Sequence, residues 1–193
     1  VEAAAATRDQ LFAQLGLQPG DVSALRALPA ETLMKAGARA GLLAYMPAVD
    51  GVVLPNHPFD PVGSPLSANV PVLVGSTKDE ATNVVLSDPT WQTMTEDDLL
   101  KRVSGMVGPQ EAEAAIALYR AQAPGDQPMH LYTSIMTDMM FTSSSITLAE
   151  RKHAQGAAPV FMYKIDWDSP VLGGKLRSPH AVELPFVFDN VDV

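Results

Sequence analysis

The chain contains no cysteine among its 193 residues, which excludes disulfides, thiolate catalysis and cysteine-based metal sites. Positive charge is scarce: 13 Lys and Arg stand against 22 Asp and Glu, for a net charge of −9. With no cluster of Lys or Arg, the chain offers no electrostatic footprint for a phosphate backbone, and nucleic acid is set aside as a partner. No apolar stretch reaches the length of a membrane span. The opening VEAAAATRDQL has neither Met nor the apolar centre of a signal peptide. It has the composition of the middle of a helix, and LPFVFDNVDV ends directly on an apolar run, so both ends read as cuts through a larger protein. A glycine-rich phosphate loop is missing too, so nucleotide binding has no support in the sequence. The lack of cysteine fits a reducing compartment and an exported bacterial protein equally.

What is present is a globular composition, 47% apolar, in a chain long enough for a sizeable core. Helix formers fill 3–15, with Gly16 as a stop, and 30–43 after Pro29. The segment 48–55 predicts a short hairpin turning at Asp50-Gly51, followed by a rigid Pro-rich loop to residue 71. Val70–Gly75 lacks polar alternation, which predicts a parallel, central strand buried on both faces. Three helices follow: 95–107 capped by Thr95, 108–122 opening near Pro109, and 127–154, where the serines at 143–145 weaken the pattern. PVFMYKIDW (159–167) predicts a second strand, and 168–180 a loop. This order implies an α/β fold, a mostly parallel central sheet with helical excursions.

Reactive groups of parallel sheets sit beyond the carboxyl ends of the strands. Glu80 follows the first strand and His180 follows the second. A carboxylate beside an imidazole fixes its tautomer and stabilises the cation formed when the ring takes a proton. The order acid then histidine is that of α/β-hydrolase triads. Spacing alone is weak evidence and favours plainer roles: Glu80 as a surface ion-pair partner of Lys78 or an arginine, and His180 as a loop histidine held by a backbone carbonyl.

GSTKDEATN (75–83) after VPVLV (70–74) resembles the segment of the type B carboxylesterase and cholinesterase family that carries the triad acid, close to Gly-x-x-x-Asp-Glu-Gly. HAVELPFVFDN (180–190) resembles that family's His-x-x-Glu-Leu-Pro segment, whose histidine is the catalytic base. LRALPAETLMKA (25–36), PAVDGVVLP (47–55) and APVFMYKIDWDSP (158–170) resemble further family stretches in the right order. The resemblance implies the C-terminal-side portion of an α/β-hydrolase fold over residues 1–193, with Glu80 as triad acid and His180 as base. It implies serine-dependent hydrolysis of carboxylic esters through an acyl-enzyme, a small-molecule ester as substrate, and no cofactor. Gly-x-Ser-x-Gly does not occur, and Gly173-Gly174 falls too late for an oxyanion loop. The resemblance therefore puts the nucleophile elbow upstream of Val1 and further elements after Val193, makes the N-terminal portion of the same protein a partner, and predicts little or no activity for these residues alone. Two positions depart from the family, Ala81 and Ala181, both usually Gly; the change matters if a positive φ is required there. The alternatives are a non-catalytic binding or adhesion relative, and a complete small domain that binds a partner through its sheet edge.

Other residues read more plainly. His57, His130 and His153 are expected at the surface, and His180 with Glu183 lacks the further ligands a metal needs. Met136, Met139, Met140 and Phe141 are expected first in the core, as are Phe161, Trp167, Phe186 and Phe188, and the resemblance gives them a second reading as walls of the acyl or alcohol pocket. Asp79 is expected to be an ion-pair partner; Asp138 is a candidate to support the site from a helix, though nothing in the sequence tests it.

Overall fold

The computed structural model describes residues 2–40 and 42–191, with only the backbone of Leu42 and Leu43. The chain divides into two compact units, Val1–Ser64 and Pro65–Val193.

The first unit holds α1 (Glu2–Gln14), α2 (Val22–Ala27) and α3 (Ala30–Ala38). Gly16, at φ +67°, ends the turn after α1, a conformation that costs glycine little. Asp21 caps α2 by accepting from the Ala24 N–H at 2.9 Å. The expected helix over 30–43 closes at Ala38 and gives way to a 3₁₀ turn, Leu42–Tyr45; Gly41 lies outside the described residues. The expected hairpin at 48–55 is not a strand pair. The Asp50 carboxylate accepts from the Val52 and Leu54 N–H groups, both at 2.9 Å, so a side chain organises the turn where strand bonds were expected. Val52 and Val53 point to solvent.

The second unit is built on two parallel strands, β1 (Val72–Thr77) and β2 (Val160–Ile165), in register from Val72 opposite Val160 to Thr77 opposite Ile165. Gly75 faces Tyr163, and a Cβ there would overlap the Tyr163 carbonyl and ring, so the close approach requires glycine. Between the strands run α4 (Thr82–Val85), α5 (Glu96–Val107), α6 (Pro109–Gln122), α7 (Pro128–Thr137), a π-helical turn (Asp138–Thr142) and α8 (Ser143–Gln155). A short α9 (Leu184–Val187) follows β2. The Thr95 and Asp98 side chains form the reciprocal capping box that starts α5. The expected weakness at 143–145 is displaced: the serines are helical, and the irregularity is the π turn just before them.

The core lies among the helices. Trp91, Leu99, Val103, Ala112, Met129, Leu131 and Ile135 are buried together, with Val85 and Met94 at their margin. Lys152 is fully buried and satisfies its ammonium with the carbonyls of Ser67 (2.7 Å) and Ala68 (2.6 Å) and the side chain of Gln155 (3.2 Å), which ties α8 to the loop before β1.

The sheet corrects one expectation. Its strands are parallel, but β1 is not buried on both faces: Leu73 is 70% exposed. Two strands have no central position, and no described residue covers that face. Phe161, Trp167, Phe186 and Phe188 are likewise exposed, and so are Met139 and Met140, against the core roles expected of them. Trp167 and Phe186 instead pack edge to face at 5.2 Å between centroids. No helix among the described residues is long and apolar enough to cross a membrane.

His130 also departs from expectation. It is half-buried on α7, and its Nε2 lies 3.3 Å from the Lys175 carbonyl, which accepts only, so Nε2 carries the proton. Burial, and then the charge of Arg177, hold the ring below its ordinary 6.5. As pH falls through 6.5 the unfolded chain takes up this proton first, so stability declines until the pH passes below the folded value. Urea unfolding of wild type and His130→Gln across that window should show a shallower pH slope in the variant; parallel slopes would remove His130 from the account.

Candidate active site

The site forms where the two strands end. β1 runs out at Thr77, and the next residues turn at once into α4. Glu80 stands in that turn, its carboxylate buried against the strand end: Oε1 accepts from the Thr77 N–H at 2.6 Å. Oε2 lies 2.5 Å from Nδ1 of His180, 100 residues later in the chain. A carboxylate only accepts, so Nδ1 carries the hydrogen and the Nε2 lone pair is left as the basic atom. The two side chains differ sharply in access, 7% exposed for Glu80 and 57% for His180. The acid is sealed, while the imidazole is open to an incoming group.

Backbone pairing brings the loops together. The Asp79 N–H donates to the Ser178 carbonyl at 2.9 Å, and the Ser178 N–H donates to Asp79 Oδ2 at 3.2 Å. The Ser178 hydroxyl donates to the Ile165 carbonyl at 3.0 Å, fixing the loop to the end of β2. Asn83 Nδ2 donates to the His180 carbonyl at 3.2 Å. Asp79, expected to be an ion-pair partner, lies 4.0 Å from Lys78, but its closer contact is Ser178, and burial raises its carboxyl above the ordinary value. Lys78 itself pairs with Asp168 at 2.5 Å, so the surface pairing of Glu80 with Lys78 is not formed. Asp138 accepts from the Tyr119 hydroxyl at 2.6 Å.

One helical run flanks the pair. Phe141, in the π turn, lies with its ring centroid 5.9 Å from that of His180, the planes inclined by 34°. Thr137, the last residue of α7, accepts from the Ala81 N–H at 3.1 Å. Neither Thr137 nor Asn83 was legible as a site residue: a hydroxyl partner 56 residues away leaves no local pattern. Two buried polar atoms near these segments, Thr77 Oγ1 and Glu183 Oε2, have no hydrogen bond among the described residues. No group of three or more His, Asp and Glu is placed to hold a metal among the described residues.

The two alanines behave differently. Ala81 is right-handed at φ −71°, so nothing there demands glycine. Ala181, next to the histidine, is held at φ +68°. A left-handed alanine is strained by about 1–2 kcal/mol, and glycine returns part of that as extra freedom in the unfolded chain. Ala181→Gly should therefore stabilise the protein by about 0.5–1 kcal/mol in urea unfolding. A loss of stability would mean that the bend is not strained.

The sequence profile described as "Carboxylesterase family" matches residues 6–192. The para-nitrobenzyl esterase of Bacillus subtilis (strain 168) is 29% identical over 99% of this chain and 38% of its own length. The phenmedipham hydrolase of Pseudarthrobacter oxydans is 28% identical over 78% of this chain and 29% of its own. Among solved structures, a carboxylesterase of Geobacillus stearothermophilus superposes with a TM-score of 0.73 at 35% identity, covering 100% of this chain and 38% of that one. A PNB esterase gives 0.71 at 27% identity, over 99% of this chain and 40% of that one. The chain thus spans well under half the length of these proteins, and its strands and helices form part of an α/β-hydrolase fold.

Proposed function

The chain belongs to the carboxylesterase family, and from that premise we propose that it supplies the acid and base of a serine esterase whose nucleophile lies outside residues 1–193. The observation that carries this reading is the 2.5 Å contact between a buried Glu80 and an accessible His180 at adjoining ends of parallel strands. The absence of Gly-x-Ser-x-Gly from the sequence supports placing the nucleophile and oxyanion donors elsewhere.

In this reading Nε2 of His180 takes the proton of a serine hydroxyl as its oxygen attacks the ester carbonyl. The Glu80 carboxylate orients the ring and stabilises the resulting imidazolium. When the tetrahedral intermediate collapses, the C–O bond to the alcohol breaks and Nε2–H protonates the leaving oxygen. His180 then takes a proton from water, whose oxygen attacks the acyl-enzyme, and returns it to the serine as the acid departs. Phe141 presents apolar surface beside the imidazole, and Met139 and Met140, exposed in the same π turn, add apolar surface to that segment, suited to aryl or short to medium acyl esters. The apolar, uncovered face of β1 fits a strand that completes its packing against the rest of a longer hydrolase.

A fluorophosphonate serine probe tests the reading. The pure 193-residue chain should take no label, whereas a chimaera with these residues in place of the matching segment of the Geobacillus stearothermophilus carboxylesterase should label and hydrolyse para-nitrophenyl esters. Serine-dependent turnover by the chain alone would overturn the placement of the nucleophile. A folded chimaera that labels no serine would overturn the esterase reading.

A further inference from the structure

We infer that Thr137 is a positioning residue for the Glu80–His180 pair, acting through the backbone of Ala81; as a statement about catalysis this rests on the reading of that pair as acid and base. Ala81 is fully buried, and its N–H precedes a helix of only four residues, where no helical carbonyl is available to it. Its acceptor is the Thr137 hydroxyl at 3.1 Å, on a residue 1% exposed, so water does not substitute. The peptide after Glu80 is thereby fixed from one side while the Thr77 N–H fixes the carboxylate from the other. Glu80 has one free direction left, and it points at Nδ1 of His180.

The orientation of the hydroxyl supports a dedicated role. Helical threonines commonly turn their hydroxyls back on their own helix. Thr133 does so to the Met129 carbonyl at 2.8 Å, and Thr147 to the Ser143 carbonyl at 2.9 Å. Thr137 uses its oxygen outside the helix, at the boundary where α7 becomes the π turn. Four residues on, Phe141 packs against the His180 ring, so one helical run contacts the turn of the acid and the ring of the base. Thr137→Val keeps the shape and removes the acceptor. The buried Ala81 N–H is then unsatisfied, and the turn relaxes towards another partner at the expense of the Glu80 contact.

The test is ¹H–¹⁵N spectroscopy of the imidazole region on the full chain, with His180→Gln to assign the signal. Wild type should give a downfield Nδ1–H resonance from the short bond to the carboxylate. Thr137→Val should lose that resonance or move it upfield with the amide spectrum retained, and Thr137→Ser, which keeps the oxygen, should restore it. Should the valine variant not fold, Thr137→Ala gives the same reading at a smaller side chain. An unshifted resonance in a folded valine or alanine variant, or no such resonance in wild type, overturns the inference. Because no turnover is measured, this outcome is separate from the fate of the esterase reading, which the chimaera decides.

Discussion

In the chimaera with the Geobacillus stearothermophilus carboxylesterase, His180→Gln should lower kcat for a para-nitrophenyl ester by on the order of 10⁴-fold or more, with a far smaller change in KM. The size follows from the number of proton transfers lost. Without an imidazole, the serine must give up its proton unaided, the leaving alkoxide departs unprotonated, and the deacylating water has no base. Substrate binding uses other surfaces, so KM is largely spared. Glu80→Gln should approach the same loss for a different reason. Both carboxylate oxygens are engaged, Oε1 with the Thr77 N–H and Oε2 with His180 Nδ1. A Gln side chain can satisfy the Thr77 N–H with its oxygen, but it then turns an NH₂ donor towards Nδ1. That favours the tautomer with hydrogen on Nε2, which has no lone pair to take the serine proton; about 10⁴-fold is the scale of such an error. The steady-state kinetics of both variants check this. A loss below tenfold in either, in a chimaera whose unfolding midpoint is unchanged, would remove that residue from the chemistry.

Trp91→Ala should destabilise the Pro65–Val193 unit by about 3–5 kcal/mol. Trp91 is 1% exposed and sits among Val85, Leu99, Val103, Met129 and Ile135, so its removal leaves a cavity that three packed helices and the α4 turn cannot all close upon. The indole Nε1–H contacts the Met129 carbonyl at 3.3 Å and the Thr133 hydroxyl at 3.2 Å. Its loss strands no carbonyl, because the Thr133 hydroxyl already donates to Met129 at 2.8 Å. The cost is therefore one of packing, and Trp91→Phe, which refills part of the volume, should recover a good share of it. Against a total stability of about 5–15 kcal/mol for a domain, the alanine variant leaves little margin. Urea denaturation followed by circular dichroism gives the difference directly. A change under about 1 kcal/mol would mean that the core is not centred on this residue.

Signals that act within a turn or two of chain were legible in the residues themselves. Periodicity and end signals located the longer helices, with Thr95 at the start of α5 and Pro109 at the start of α6, because these signals act within one helical turn; the short α2, α4 and α9 and the break between α7 and α8 were not located this way. β-branched runs located both strands, and their likeness in direction was legible from the helical material between them. Motif resemblance singled out Glu80 and His180, and the fold sets them 2.5 Å apart.

Other features were decided only by tertiary structure. The strand composition predicted burial on both faces, but burial belongs to whatever covers a strand, and Leu73 has no cover among the described residues. Asp50-Gly51 has hairpin chemistry, yet a hairpin needs two flanking strands that pair; here the Asp50 carboxylate takes the N–H groups first. Whether Ala81 and Ala181 mattered turned on φ, which the surrounding loop sets: unremarkable at the first, left-handed at the second. Thr137 and the half-buried His130 owe their roles to partners 56 and 45 residues away. A local pattern records what a residue does to its own turn of chain. Long-range partners are chosen by the packing of elements, and that choice exists only once the chain has folded.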